Sequence, residues 1–494
     1  MGGRVTDYEQ LTLTGNITED IGLFRQIFVR DNILRVRNLK VGNSDYGCAL
    51  LYMDGMVNIE ILGESIVCPI VKTKYDTAPT VDFLSQNILF ASDVAKAQRL
   101  SDMLRGIMYG DTVLLLEGSR EALVINTKGW RTRGISEPQN ERVLAGPREG
   151  FDEAAMLNLA MIRRRLLTPD LCIEMLRVGR RSDTLVFMCY LGSLASPRTV
   201  KELKSRISKI DIDGILDSNY IAEHIRDHKG SLLKTTGSTE RPDVVAARLL
   251  EGRVALVVDG TPVVLTLPYL FGENFQSDED YYLNFTVASI GRALRWFCFF
   301  AAVSAPAIFV ALITFHPGLL PTHFALTVAE LRAGVPMSSV TECLVLILMF
   351  EVLKEAGLRM PQNTGHALSI VGGLVVGQAA VEARIISAPM LIAVAFSGIA
   401  GLLVPRLQSV VFYLRVVFCI VAALLGLFGL FSISLILIMR VLSMQSFDTD
   451  YTLGLKAANC QSLKDTVIRA PWTRMIKRPF FNTNIIRNRG ERKC

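Results

Sequence analysis

The chain has 494 residues, 50% of them hydrophobic, a mean hydropathy of +0.35 and a formal net charge of +6, which excludes a disordered chain and leaves room for about three domains. Its nine cysteines are odd in number, scattered and never in C-x-x-C, which excludes a closed disulfide framework and reads as small core residues in a reducing compartment. The charge excess is confined to 446–494, where ten basic residues face four acidic ones with few aromatic partners; a nucleic-acid arm is set aside in favour of a cytoplasmic tail that can touch anionic headgroups.

From the N-terminus, Met1 to Gln10 is polar and no apolar h-region follows, so the front is expected to remain cytoplasmic. Met1-Gly2 with Thr6 fits an N-myristoylation pattern, which adds little to a chain with spanning helices. Cys48–Tyr52, Val113–Leu116 and Val254–Val258 are short apolar runs closed by Asp54-Gly55, Glu117-Gly118-Ser119 and Asp259-Gly260, the turn chemistry that separates strands. The last two lead into Ala122–Ile125 and Val263–Leu267, which predicts two β-hairpins. Helices are predicted over Ile88–Met108 and Asp152–Leu167. The fold class is therefore an α/β two-lobed cytoplasmic N-terminal domain, divided near Gly134–Gly150, followed by an α-helical transmembrane bundle. The expected boundaries are lobes at 1–140 and 141–292, a transmembrane helical domain at 293–445 and a basic cytoplasmic tail at 446–494.

No enzyme chemistry declares itself in the front. It has no Walker A loop, no G-x-G-x-x-G after a strand, no G-x-S-x-G and no H-E-x-x-H. His224 and His228 are four apart and could share a helix face, yet the chain offers only His316, His323 and His366 besides, so no metal, cofactor or catalytic residue is expected. Arg163-Arg164-Arg165 reads as the solvated end of the helix that begins near Asp152, where cations complement the macrodipole.

The solvent of the chain changes near Arg295. Trp296 to Ala329, Ile385 to Pro405 and Val416 to Met439 carry no charge, and a bilayer span needs about 20 apolar residues. Spans are predicted at 296–315, 385–404 and 411–439, with a weaker one at 366–381. Thr327 to Pro361 is of another kind: apolar at Cys343–Phe350, it carries Glu330, Arg332, Glu342, Glu351, Lys354, Glu355 and Arg359. With front and tail both cytoplasmic the number of crossings is even. Four are expected, the charged segment lying at an interface or lining a water-filled path. Glu351, Glu355 and Arg359 fit interfacial ion pairs. Glu342 falls on nearly the opposite face, with Ser338 and Thr341 nearby, and these three form a candidate ion path. Gly373 and Gly377 make one G-x-x-x-G, and Gly426, Gly429 and Ser432 recur every third residue; both read as close helix contacts.

The run Glu240-Arg-Pro-Asp-Val-Val-Ala-Ala-Arg-Leu-Leu-Glu-Gly-Arg-Val-Ala-Leu-Val-Val-Asp-Gly-Thr-Pro, leading to Phe275-Gln-Ser-Asp-Glu-Asp-Tyr-Tyr282, is distinctive. So are Gly146-Pro-Arg-Glu-Gly-Phe151, Ile162-Arg-Arg-Arg165, Arg332-Ala-Gly-Val-Pro336, Phe350-Glu-Val-Leu-Lys-Glu-Ala-Gly357, Gly377-Gln-Ala-Ala-Val381, Ile468-Arg-Ala-Pro-Trp472 and Arg478-Pro479. On these residues the chain resembles the A subunits of the GerA-type nutrient germinant receptors of endospore-forming bacteria over nearly its whole length. The resemblance implies a spore inner-membrane protein with its N-terminal domain toward the core. It also implies a transporter-like B subunit and a lipoprotein C subunit as partners, and a homo-oligomer, a pentamer, that releases monovalent cations when nutrient binds. Met337-Ser338 and Phe447-Asp-Thr-Asp-Tyr depart from the family pattern and leave the SpoVAF-like paralogues, which amplify ion release, as an alternative. A secondary transporter is the reading from another class; it calls for inverted repeats with paired broken helices, and only one polar interruption is seen. Asp280, Tyr281 and Tyr282, at the end of the signature and just before the membrane, form the candidate coupling region.

Overall fold

The computed structural model describes residues 8, 11–42, 44, 46–73, 79–129, 138, 141, 143, 145–359, 375, 377–453, 465–475 and 478. The first lobe runs α1 (Ile17–Ile27), β1 (Leu34–Lys40), β2 (Gly47–Met53), helical turns between Ile61 and Ile88, β3 (Val94–Ala97), α2 (Leu100–Met108), β4 (Thr112–Leu116) and β5 (Ala122–Ile125). The second runs α3 (Ala155–Arg165), β6 (Leu171–Val178), β7 (Thr184–Leu191), α4 (Pro197–Ile207), α5 (Ser218–Ile225), β8 (Gly237–Thr239), α6 (Pro242–Leu250), β9 (Val254–Val258) and β10 (Val264–Leu267). Each lobe builds one antiparallel five-stranded sheet, ordered β1-β2-β4-β5-β3 and β6-β7-β9-β10-β8.

These orders are the same, so the front is an internal duplication. Gly110 and Gly118, which flank β4 at φ +89° and +81°, recur around β9 as Gly252 and Gly260 at +86° and +87°, a left-handed backbone that favours glycine. The acid after each of these strands caps the helix that opens its lobe: Ile17 N donates to Glu117 Oε2 at 3.3 Å, Ala155 N to Asp259 Oδ1 at 3.0 Å. Carboxylates at helix N-termini complement the dipole. Both predicted hairpins form, β4 with β5 and β9 with β10. The helix expected over Ile88–Met108 is shorter, because Val94–Ala97 completes the first sheet by pairing with Ala122–Ile125.

The lobes share one core that includes Phe24, Leu51, Leu104, Leu159, Ile173 and Val257. Asn32 N donates to Ile173 O and Ile173 N to Arg30 O, at 3.0 and 3.1 Å. Arg163 is fully buried against Asp31, which corrects the expected solvated helix end; only Arg164 and Arg165 reach the half-exposed Glu149. Arg163→Ala is expected to cost about 3–5 kcal/mol by stranding the Asp31 carboxylate. The check is the thermal midpoint of the detergent-purified chain; an unchanged midpoint would show that the pair does not hold the lobes together.

The bundle consists of α7 (Phe285–Phe315), α8 (Thr322–Arg332), α9 (Ser339–Arg359), α10 (Ala388–Leu402) and α11 (Gln408–Leu442). The predicted 411–439 span is not one helix. Gly426 adopts φ +60°, ψ −145°, and a Cβ on Gly429 would lie 2.9 Å from Val421 O. Residues eight apart along a straight helix are about 12 Å apart, so α11 is a hairpin whose arms, 408–425 and 427–442, meet at Gly426. Both of its ends face the lobes: Arg406 donates to Glu273 O at 3.2 Å, and Tyr269 N donates to Ser446 Oγ at 3.1 Å. The tip meets Phe315 and His316 at the far end of α7.

Helices α9 and α10 lie side by side and run the same way. Glu342 meets Ser387 at the far end, Phe350 faces Gly398, and Glu351 and Lys354 share a cavity with Leu402 and Gln408 near the lobes. The charged segment is thus a bundle helix: Glu342 and Glu351 find partners within the bundle, while Glu355 and Arg359 form an exposed i,i+4 ion pair at its end near the lobes. The described passages are α7, α9, α10 and two arms of α11. Four crossings in all were expected; five passages are already described, and the return from Arg359 to Ser387 is not counted among them. That return, with the weaker 366–381 span and Gly373, falls largely outside the described residues.

Candidate functional site

Three parts of the chain converge where the lobes meet the bundle. The first turns of α7 carry Arg292, fully buried, and Arg295. Asp280 accepts from Arg292 Nε at 2.8 Å and from Arg295 Nη1 at 3.2 Å. Arg292 Nη1 also donates at 2.9 Å to Asp465 Oδ1 in the tail. The Tyr281 hydroxyl donates to the same carboxylate at 3.1 Å, its ring lies under the Arg292 guanidinium at 5.3 Å, and Trp472 packs beside it at 5.9 Å. Arg469 closes the joint: its N–H donates to Ser289 Oγ at 3.1 Å and its Nη2 to Tyr281 O at 3.3 Å. Desolvation pushes the Tyr281 phenol well above its ordinary range, so it stays a donor toward Asp465.

Tyr282 points the other way, donating to Asp243 Oδ2 at 2.6 Å. Asp243 also receives Arg241 at 2.7 Å. Gly146, at φ +115°, lies against the Tyr282 ring, where a Cβ would sit 2.7 Å away. A second set of buried charges lies beneath α6: Glu273 receives Arg248 and Arg253, both at 2.6 Å. Arg406, in the turn between α10 and α11, reaches Glu141 at 3.4 Å and Asp278 at 3.7 Å. Burial and the neighbouring Asp278 push the Glu141 carboxyl up, while Arg406 opposes them. The candidate coupling residues Asp280, Tyr281 and Tyr282 thus all sit in this joint. Trp296 stacks on Phe275 with centroids 3.8 Å apart at the level where α7 leaves it, as befits an interfacial aromatic.

Within the bundle the candidate path residues divide. Glu342 is fully buried; its Oε1 accepts from both the N–H and the hydroxyl of Ser387, each at 2.6 Å, and Oε2 lies 3.7 Å from Arg332. Ser387 opens α10, so this carboxylate complements that helix's N-terminus. Ser338 and Thr341 are exposed and hydrogen-bond each other at 3.0 Å at the start of α9.

A second polar knot follows from Pro306 inside α7, which cannot donate to Ala302 O. That carbonyl instead receives Ser397 Oγ at 2.6 Å and Arg415 Nε at 3.0 Å, and Arg415 Nη2 donates to Ser397 O at 3.0 Å. One buried arginine thereby ties three helices. Sequence reasoning missed Arg415, although it is the charge that interrupts an otherwise apolar 411–439 run. It also missed Arg292 and Asp465, whose pairing spans 173 residues and leaves no local signal.

His224 is exposed on α5, which ends at Ile225, and His228 lies beyond that end. They do not share a helix face, and no metal-holding cluster occurs among the described residues.

The family model "Bacillus/Clostridium GerA spore germination protein" matches residues 23–481. Spore germination protein KA of Bacillus subtilis (strain 168) is 37% identical over 448 residues, covering 90% of this chain and 82% of the relative. Spore germination protein GerLA of Bacillus cereus is 32% identical over 473 residues, covering 95% and 96%. Among solved structures, the N-terminal domain of the A subunit of the Bacillus megaterium spore germinant receptor GerK3 aligns with a TM-score of 0.43 and 31% identity, over 53% of this chain and 98% of that one. The match runs through the lobes, the joint and the bundle alike, and the chain belongs to the GerA family of spore germination proteins.

Proposed function

We propose that the chain is the A subunit of a nutrient germinant receptor in the spore inner membrane, with lobes and tail toward the core. Copies of it assemble around a path for monovalent cations, and a transporter-like B subunit and a lipoprotein C subunit complete the receptor. The observation that carries this reading is Arg292: a fully buried cation at the root of the first long helix, held at once by the second lobe and by the tail. A shift of the lobe acts directly on that helix, because the pair cannot be separated without stranding charge in a dry site. Exposed Ser338 and Thr341 face outward from the protomer and offer hydroxyls to an inter-subunit path, and Glu342 holds the neighbouring helix end in register while adding negative charge beside it.

Glu342→Gln keeps an acceptor for Ser387 and removes the charge. The expected outcome is a normal protein level with slowed nutrient-triggered potassium release. Wild-type release kinetics in spores of this variant would remove the carboxylate from the path.

A further inference from the structure

Two cysteines far apart in the chain meet inside the bundle. Cys343 on α9 and Cys419 on the first arm of α11, 76 positions apart in sequence, are both fully buried, with Sγ atoms 3.4 Å apart. A disulfide has an S–S length of about 2.0 Å, so the sulfurs need to approach by only about 1.4 Å, a distance within reach of side-chain rotation. The pair occupies a telling position. Cys343 follows Glu342, which caps α10, and Cys419 lies one turn after Arg415, which ties α7 to α10. A bond between them would fix α9 to the hairpin between two polar anchor points.

We propose that Cys343 and Cys419 form a modification site at which a membrane-permeant peroxide creates an intrachain disulfide that locks the bundle closed. One sulfur attacks the O–O bond, giving a sulfenic acid and an alcohol. The second sulfur then displaces the sulfenic oxygen, which leaves as water. The two thiol protons depart with the two oxygen products; the peroxide gains two electrons and the thiols lose them. The locked state bears on ion release and so rests on the function proposed above, whereas formation of the bond does not.

The test uses the full receptor in spores treated with cumene hydroperoxide. Peptide mapping without reductant is expected to yield a Cys343–Cys419 linked pair, absent from Cys343→Ala and Cys419→Ala. Potassium release on nutrient addition is expected to be lost in treated wild-type spores, restored by dithiothreitol and unaffected by peroxide in either alanine variant. Absence of the linked pair while half-buried Cys68 is oxidised would overturn the site. A linked pair with unchanged release would overturn the lock. Untreated spores that release no potassium in response to nutrient would count against the receptor reading instead, since the linkage is scored separately.

Discussion

Gly426→Val is expected to abolish accumulation of the protein in the membrane. At φ +60°, ψ −145° a β-branched residue meets backbone strain of about 1–3 kcal/mol. Its Cβ would also lie 2.9 Å from His316 Cε1 and 3.1 Å from Phe315 Cβ, and overpacking of this kind adds about 1–3 kcal/mol. Together these approach a large share of the roughly 5–15 kcal/mol that holds a domain folded. Gly318→Ala serves as the control, since nothing lies within 4 Å of its added Cβ and its φ is not positive. Membrane fractions probed by immunoblot are expected to show Gly318→Ala at the wild-type level and no Gly426→Val. A Gly426→Val protein that accumulates and melts like the wild type would mean the chain does not reverse there.

Replacing Asp280 by Ala is expected to destabilise the joint by about 3–5 kcal/mol, the usual cost of breaking a buried pair from one side. Here one carboxylate serves two guanidiniums, so its removal leaves Arg295 without its ion-pair partner and Arg292 with Asp465 alone. Asp465→Asn removes the other partner of Arg292. The two substitutions share that arginine and are therefore expected to be non-additive in a double-mutant cycle. Thermal midpoints of the purified chain, read beside nutrient-triggered potassium release, check both. Additive midpoints would separate the tail from the joint; midpoints near wild type with release lost would make the joint a transmitter more than a brace.

The two hairpins of the lobes were legible because turn residues and β-strand patterning act over a few residues. Asp280 to Tyr282 could be placed at the junction of lobes and bundle because they lie beside the change of solvent near Arg295; that they couple the two remains a proposal. The duplication of the lobes was not, since what repeats is strand order, glycine conformation and an acid cap, with few shared side chains between. The last span was misjudged for a physical reason: an apolar run long enough for one tilted helix is also long enough for a short hairpin, and hydropathy does not register a single φ. Arg163 reads as solvated from sequence because a cation in the last turn of a helix complements the macrodipole without needing a buried partner. Its burial depends on Asp31, a residue 132 positions away.

Composition and local pattern by themselves determined that this is an α/β front joined to a membrane bundle, that the basic excess lies at one end, and that the chain resembles a germinant receptor subunit. Those properties follow from the short-range physics of turns, hydropathy and charge. Only the tertiary structure decided that α11 doubles back at Gly426, that Glu342 is buried as a helix cap apart from Ser338 and Thr341, and that the tail closes the joint through Asp465. Each of these depends on which partners a buried charge or a glycine meets across long stretches of chain, and buried polar groups are tolerated only where such partners arrive.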